Sequence, residues 1–275
     1  MSAPGLPEPR PSSAALVTGA SAGIGQEIAT ELAARGHNLV LVARRKDRLE
    51  ELATELKNRH GVRAEVLGAD LSKAASVARL PGRAESLGLE IDVLINNAGF
   101  ATNGPFVEAD QSREIEQVRV LVEAVVALTG AFAPAMAKRG RGAILNIAST
   151  AGMQPLPFSA GYSAAKAYVL TFSEAIHQEL APKGVTVTVL APGPVYTDFW
   201  EISGWEVAGG RTFEQAVPKP AWISAQDAAR AGVEGLAAGT RVVIPGLRMR
   251  AAMEASRYIP HAIKLPAIAW AMRRK

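Results

Sequence analysis

Short apolar runs alternate along the chain with longer segments in which apolar residues recur at helical spacing. The short runs predict strands at 14–18, 38–43, 63–68, 93–96, 143–148, 185–191 and 241–245. The longer segments predict helices at 24–35, 46–60, 72–87, 112–138, 162–181 and 225–238. Strands that alternate with helices form parallel sheets through right-handed crossovers. The pattern therefore predicts an α/β fold, a doubly wound parallel sheet of about seven strands with helices on both faces.

The alternation runs through residues 14–247 without a repeat or a linker, which predicts one domain. Residues 1–13 contain four prolines and predict a flexible N-terminal arm, whereas 248–275 form a basic amphipathic tail. Residues 192–223 show little regular pattern and follow a predicted strand. Because loops of that length in compact domains are usually functional, we expect a substrate-binding loop there.

Composition narrows the classes of protein. Of 275 residues 48% are hydrophobic and none is cysteine, which excludes a disulfide scaffold, a cysteine zinc site and a thiol nucleophile. The most apolar stretch, 118–137, carries Arg119 and Glu123, so no membrane-spanning helix is expected. The N-terminus lacks the apolar segment of a secretory signal. We expect a cytoplasmic protein, and no metal site is predicted.

Positive charge is concentrated at the C-terminus. Residues 241–275 hold eight lysines or arginines and one acid, Glu254, while the rest of the chain is slightly acidic. That distribution does not predict nucleic-acid binding. A tail that mixes cations with apolar residues can lie on an anionic membrane surface, or it can pack on its own domain or on another protomer. Pro260 and Pro266 interrupt any single long helix.

The first predicted strand runs into the glycine-rich sequence Thr18-Gly19-Ala20-Ser21-Ala22-Gly23-Ile24-Gly25, and a helix follows. Glycine permits the backbone conformations of a tight turn and lets a pyrophosphate approach the N-terminus of the helix. An ordinary strand-to-helix turn is the alternative. The position at the first such junction favours a dinucleotide site.

The end of the second strand indicates which dinucleotide. An acid there would select NAD, whereas this chain has Arg44 and Arg45, followed by Lys46. Arginine grips a 2′-phosphate in bidentate fashion, so the residues favour NADP(H), with Arg44 the main contact. A solvated basic helix start is the alternative. Asp70, followed by Leu71, either accepts from the adenine amino group or caps the next helix.

Further motifs follow strand ends in a fixed order. They are Asn97-Ala98-Gly99, Ser149, Tyr162 with Lys166, and Pro192-Gly193 with Val195 and Thr197. With the glycine-rich turn, residues 14–197 resemble the short-chain dehydrogenase/reductase family. The resemblance implies a single-domain Rossmann-like fold, hydride transfer, and a homodimer or homotetramer. It also implies that Lys166 holds the nicotinamide ribose, that residues 97–99 line the adenosine side, and that Val195 and Thr197 meet the carboxamide.

Tyr162 and Lys166 are four residues apart in a predicted helix and therefore share one face. A free phenol has a pKa near ~10 and needs a neighbouring cation to act as an acid and base at neutral pH. We expect Tyr162 to exchange the proton of the substrate oxygen and Ser149 to hydrogen-bond that oxygen. The alternatives are a tyrosine that only anchors the helix and a serine that only caps a turn.

One position departs from the family pattern. Where the family usually carries an asparagine that holds a relay water, this chain has Leu121, and Gln117, one turn earlier, is no obvious substitute. The departure leaves open a rewired relay, slow turnover, or an NADP(H)-binding regulatory or scaffold protein that has lost catalysis.

The predicted substrate loop is rich in aromatic residues, namely Phe199, Trp200, Trp205, Phe213 and Trp222, with Ile202 among them. Residues 155–158 add a second apolar edge. The aromatic residues either line a site for an apolar substrate or only pack the loop onto the sheet or a neighbouring subunit. The sequence therefore predicts an NADP(H)-dependent oxidoreductase that interconverts an apolar ketone or aldehyde and its alcohol.

Overall fold

Seven parallel strands form one sheet, with helices on both faces, in a computed structural model that describes residues 5–203, 206–207 and 211–272. The strands are β1 (Ser13–Thr18), β2 (Asn38–Ala43), β3 (Ala64–Gly68), β4 (Glu90–Asn96), β5 (Gly142–Ile147), β6 (Val185–Leu190), β7 (Val195–Tyr196), β8 (Glu206–Val207), β9 (Arg211–Thr212), β10 (Ile223–Ser224) and β11 (Val242–Val243). The helices are α1 (Gly23–Ala34), α2 (Lys46–His60), α3 (Ala74–Glu85), α4 (Gln111–Val118), α5 (Ala124–Arg139), α6 (Ala160–Leu180), α7 (Phe199–Ile202), α8 (Phe213–Ala216), α9 (Ala225–Ala237), α10 (Leu247–Ser256) and α11 (His261–Met272).

The large sheet has the order β11-β6-β5-β4-β1-β2-β3, while β7 pairs with β10 and β8 with β9 in two small sheets. Strand β1 shows why both faces are covered: Ala15 and Val17 join one buried cluster with α1, whereas Ala14 and Leu16 join another with α3 and α5. Alternate side chains of a strand point to opposite faces, so each face has its own core. The predicted doubly wound fold is confirmed.

The predicted helix at 112–138 consists of α4, a π-helical turn at Arg119–Glu123, and α5. Within its range Gln111–Arg139, an 18-residue stretch has a mean hydropathy of 1.9, so the helix is long and apolar enough to cross a bilayer by composition. One face is nevertheless buried, with Leu128, Phe132 and Met136 packed in the core beside the sheet. The helix therefore belongs to the domain core.

The N-terminal segment differs from the predicted flexible arm, whereas the predicted C-terminal tail forms two helices. Within the predicted flexible arm 1–13, residues 5–12 lie against the domain: the Gly5 N–H donates to Thr186 Oγ1 at 2.8 Å, and Arg10 binds Asp92 at 2.9 Å. Asp92 is almost fully buried and also pairs with Arg139 and Arg141. The ion pair between Arg10 and this buried carboxylate holds the N-terminal segment on the domain. The tail folds into α10 and α11. Pro260 lies between them, as expected of a helix break, whereas Pro266 lies inside α11 and does not end it.

Candidate active site

The glycine-rich turn between β1 and α1 is shaped by close contact with the segment after β4. Gly19 and Gly23 have φ values of +67° and +56°, which favour glycine. A Cβ on Gly25 would lie 2.2 Å from Asn97 Nδ2, so glycine is required there by packing. Thr18 Oγ1 in turn accepts from the N–H groups of Asn97 and Ala98 at 2.9 and 3.1 Å. The two motifs therefore form one rigid unit.

Helix α1 begins at Gly23 directly beyond this turn, and Ala22 before it provides no side-chain cap. The first N–H groups of the helix are thus left for another acceptor, at the positive end of the helix dipole. A Cβ on Gly23 would approach Thr197 Cγ2 to 3.0 Å, so glycine keeps space open at this point. This cradle fits a pyrophosphate.

The two arginines after β2 lie beside the cradle in different arrangements. Arg45 donates to Ser21 Oγ at 3.1 Å, which ties it to the glycine-rich turn. Arg44 is exposed and stands near Asp70. Burial opposes ionisation of Asp70, but hydrogen bonds from Ser72 and the charge of Arg44 lower its pKa overall. Asp70 Oδ1 accepts from both Ser72 N and Ser72 Oγ, so the carboxylate stabilises the turn before α3 while it also lines the cavity.

Ser149, Tyr162 and Lys166 converge where β5 ends and α6 begins. Ser149 Oγ accepts from Ala151 N at 3.1 Å and is hydrogen-bonded to the Tyr162 phenol. Lys166 Nζ donates to the carbonyl oxygen of Ile147 at 2.7 Å and lies 5.7 Å from the centre of the Tyr162 ring. The ring and the ammonium therefore share one face of α6, as their spacing predicts.

Burial sets the protonation of the pair. It raises the pKa of Tyr162 to about 12, against the lowering effect of the hydrogen bond with Ser149. Burial also lowers the pKa of Lys166 to about 7. The isolated pocket thus favours a neutral phenol and a lysine that is half-charged near neutrality. A phenol held in its protonated form is suited to donate a proton to a carbonyl oxygen.

Leu121 lies within the π-helical turn and is fully buried against this group. A Cβ on Gly99 would lie 2.7 Å from Leu121 Cδ2 and 3.9 Å from Lys166 Nζ, so hydrocarbon fills the space next to the lysine. Gln117 is also buried, and its amide donates to Thr102 Oγ1 at 2.9 Å. Neither side chain places a polar group against Lys166.

One cavity of about 450 Å³ joins these parts. Every predicted site residue lines it except Gly25, which acts through packing. The lining also includes Phe199 and Trp200 of the predicted substrate loop. Other lining residues were not predicted from the sequence, namely Ala22, Val42, Ala43, Ala69, Phe100, Arg113, Val120, Ile147, Ala148 and Asp198. Several of them end strands and could have been found by the rule that open α/β sheets bind ligands at the carboxyl edge. Arg113, stacked 3.8 Å from the centre of the Phe100 ring, gives no such signal.

The substrate loop divides its aromatic residues between two roles. Phe199 lies 5.9 Å from Tyr162 between ring centres, and both Phe199 and Trp200 line the cavity. Trp222 packs instead on Trp200 and Tyr196 and supports the loop. Trp205 and the side chains of Ile202 and Phe213 lie outside the described residues. On the second apolar edge, Leu156 and Phe158 pack in the cluster that contains Tyr162.

Several known proteins are similar to this chain in sequence or in structure. The family model described as short chain dehydrogenase matches residues 13–205. The very-long-chain 3-oxoacyl-CoA reductase of Anas platyrhynchos is 39% identical over 194 residues, which are 69% of this chain and 62% of that protein, less than two thirds of its length. A short-chain dehydrogenase from Sphingobium yanoikuyae in complex with NADPH is similar with a TM-score of 0.80, 35% identity, and coverage of 89% of this chain and 92% of that one. The bulky-bulky ketone specific alcohol dehydrogenase from Comamonas testosteroni has a TM-score of 0.74 and 31% identity, over 91% and 96% of the two chains.

Proposed function

Because the chain belongs to the short-chain dehydrogenase family, we propose that it is an NADP(H)-dependent oxidoreductase that interconverts an apolar ketone or aldehyde and its alcohol. The observation that carries the proposal is the convergence of Ser149, Tyr162 and Lys166 on a cavity that also contains the glycine cradle. The cavity thus extends from the glycine cradle, which fits a pyrophosphate, to the Tyr162 phenol, beside which a carbonyl would react.

The residues fit NADP(H) along the cavity. Arg44 and Arg45 would hold the 2′-phosphate, the start of α1 would hold the pyrophosphate, and Lys166 would hold the nicotinamide ribose. Once bound, the cofactor would supply or accept a hydride. The NADPH complex of the similar Sphingobium dehydrogenase supports this choice of cofactor.

The chain's own residues would manage the substrate oxygen and its proton. In reduction, the Tyr162 phenol donates its proton to the carbonyl oxygen, while the Ser149 hydroxyl donates a hydrogen bond to the same oxygen. The ammonium form of Lys166 would stabilise the phenolate that remains, because both side chains lie on one face of α6. In oxidation, the phenolate would take the proton of the alcohol.

Phe199 and Trp200 support an apolar substrate, because they border the cavity close to Tyr162. The similar proteins bear names that include 3-oxoacyl-CoA and bulky ketones. We therefore propose a ketone with a sizeable hydrocarbon part, with a long-chain 3-oxoacyl thioester as one member of the class.

The test is NADPH oxidation, followed by absorbance, with a matched panel of ketones and 3-oxoacyl thioesters of increasing chain length. We expect kcat/KM to rise with apolar surface, because each buried methylene contributes about 0.8 kcal/mol. Hydrophilic ketoses of similar size serve as the control. A preference for the hydrophilic members would contradict the apolar assignment.

Arg44→Ala is expected to weaken NADPH binding about 10- to 100-fold and to leave NADH binding nearly unchanged, because a charge-assisted bond to phosphate contributes about 1.5–3 kcal/mol. Fluorescence titration of each cofactor measures both affinities. Lys46→Ala is the matched control, since Lys46 is exposed two residues away and pairs with Glu50 at 3.1 Å. An equal loss for NADH would refute a role in phosphate recognition.

A second candidate is an NADP(H)-binding protein without turnover, and the burial of Leu121 beside Lys166 favours it. The panel separates the two functions when Leu121→Asn is assayed beside the wild type. Turnover by the wild type would show that leucine is tolerated. The second candidate would be supported if the wild type bound NADPH tightly without turnover and Leu121→Asn restored turnover.

We also propose that copies of the chain associate through the helices around α4, α5 and α6. The outer side of this region exposes Ile115, Val118, Val126 and Tyr168. Apolar side chains grouped on neighbouring helices favour burial against a second copy.

A further inference from the structure

The C-terminal helices α10 and α11 carry an outer surface that no described part of the chain covers. On α11, Ile263 and Trp270 are 65% and 77% exposed, and they lie seven residues apart on one side of the helix. Tyr258, just before α11, is 86% exposed. We propose that this surface binds an anionic lipid bilayer, with Ile263, Trp270 and Tyr258 as the inserted side chains.

The opposite side of α11 is packed, so the exposure of this surface is not a sign of an unfolded tail. Ile268 and Met272 join the cluster that contains Tyr162 and Leu121, and Met272 is buried. In α10, the Met249 side chain lies against Gly193, where a Cβ would come within 2.6 Å of it. The helix pair is therefore fixed on the domain next to the candidate active site.

Charge selects a bilayer over a second copy of the chain. Residues 247–272, which form the two helices and the turn between them, carry four cations, Arg248, Arg250, Arg257 and Lys264, and Glu254 as the one acid, so two copies that met through this surface would repel each other. Arg250 and Arg257 lie seven residues apart on α10 and its end, and both are exposed. Cations next to exposed aromatic and aliphatic side chains are the pattern of a helix that lies in the lipid headgroup region.

Membrane binding through this surface would also affect substrate supply to the candidate active site, an inference that rests on the proposed function. Because α11 has its inner side on the Tyr162 cluster, a docked molecule holds its candidate active site at the bilayer. Apolar ketones partition into that bilayer, so membrane binding would raise the local substrate concentration. We expect vesicles to lower the KM for long-chain ketones several-fold and to leave the KM for short, soluble ketones unchanged.

The binding test is co-sedimentation of the full chain with vesicles of phosphatidylcholine alone or with 30% phosphatidylserine. We expect binding to the anionic vesicles only. Arg250→Gln with Arg257→Gln is expected to weaken partition by about 5- to 25-fold, since each cation contributes about fivefold and Arg257 is also paired with Glu254. Ile263→Ser with Trp270→Ser should also lose binding. Val107→Ser with Phe106→Ser is the matched control, because this aliphatic and this aromatic side chain are also exposed but lie elsewhere.

Equal sedimentation of the Ile263/Trp270 variant and the wild type would overturn the proposal, as would absence of wild-type binding. A wild-type dimer that becomes a monomer in that variant, measured by light scattering, would show that a second copy covers the surface and would overturn it too. Sedimentation requires no turnover. The vesicle result can therefore be interpreted even if the proposed oxidoreductase function is refuted. An assay of soluble-ketone reduction tests that function separately.

Discussion

Tyr162→Phe is expected to lower kcat for NADPH-dependent ketone reduction about 10²- to 10⁴-fold, the usual contribution of a positioned general acid. The substitution removes only the hydroxyl that is hydrogen-bonded to Ser149. The ring remains to pack against Phe199 and Leu121 in the apolar cluster. NADPH affinity is therefore expected to change little, and the loss should appear in kcat.

Tyr168→Phe is the matched control, because it makes the same change six residues later in α6, where Tyr168 is 43% exposed and stacks on Phe172. Steady-state kinetics and NADPH titration of both variants complete the measurement. A Tyr162→Phe enzyme with near wild-type kcat would exclude the phenol as the proton donor.

The rates of reduction and oxidation are expected to depend on pH in opposite ways, because one needs the Tyr162 phenol and the other its phenolate. The pKa of about 12 keeps the phenol protonated through neutral pH, which suits proton donation in reduction. Oxidation needs the phenolate, so its rate should rise with pH until the phenol of the cofactor complex has titrated. These profiles would distinguish Tyr162 from an acid whose pKa lies near neutrality.

The sequence allowed most of the sheet and most of the site to be predicted, because both depend on local patterns. Buried parallel strands are continuous apolar runs, and the residues that follow them meet at one edge whatever the details of packing. Gly19, Asn97 and Ser149 were placed in this way. Arg45 also follows a strand, but its bond to Ser21 depends on a side-chain conformation that no sequence pattern specifies.

Features that depend on contacts between distant segments were beyond the sequence. Residues 5–12 were predicted to be flexible from their prolines, yet the buried Asp92 holds Arg10 from 82 positions away. From the sequence, the tail could lie on a membrane, pack on its own domain or pack on another protomer. Its helical spacing does not reveal that Met272 reaches the Tyr162 cluster. Arg113 above Phe100 joins a helix and a loop and has no local signature either.

Lys166→Met is expected to stabilise the cofactor-free protein at neutral pH while it abolishes turnover. Burial lowers the pKa of Lys166 from an ordinary 10.5 to about 7. The unfolded chain therefore binds a proton between these pH values that the folded protein lacks, so stability from this residue rises with pH across that window. Below the window the lysine reduces the free energy of unfolding by its full amount, about 4–5 kcal/mol.

Methionine removes this cost but leaves the carbonyl oxygen of Ile147 without its 2.7 Å donor, a loss of about 1–3 kcal/mol. At pH 7 the variant should thus be more stable than the wild type by about 2 kcal/mol, and urea unfolding followed by circular dichroism measures the difference. As pH rises the wild type gains stability and the variant does not, so the order should reverse between about pH 8 and 10. Lys57→Met, on the exposed side of α2, is the control and should show no such crossing. If the difference in the free energy of unfolding between Lys166→Met and the wild type stayed constant with pH, Lys166 would keep its ordinary charge in the folded protein. The phenolate would then be stabilised by an ammonium that is always present.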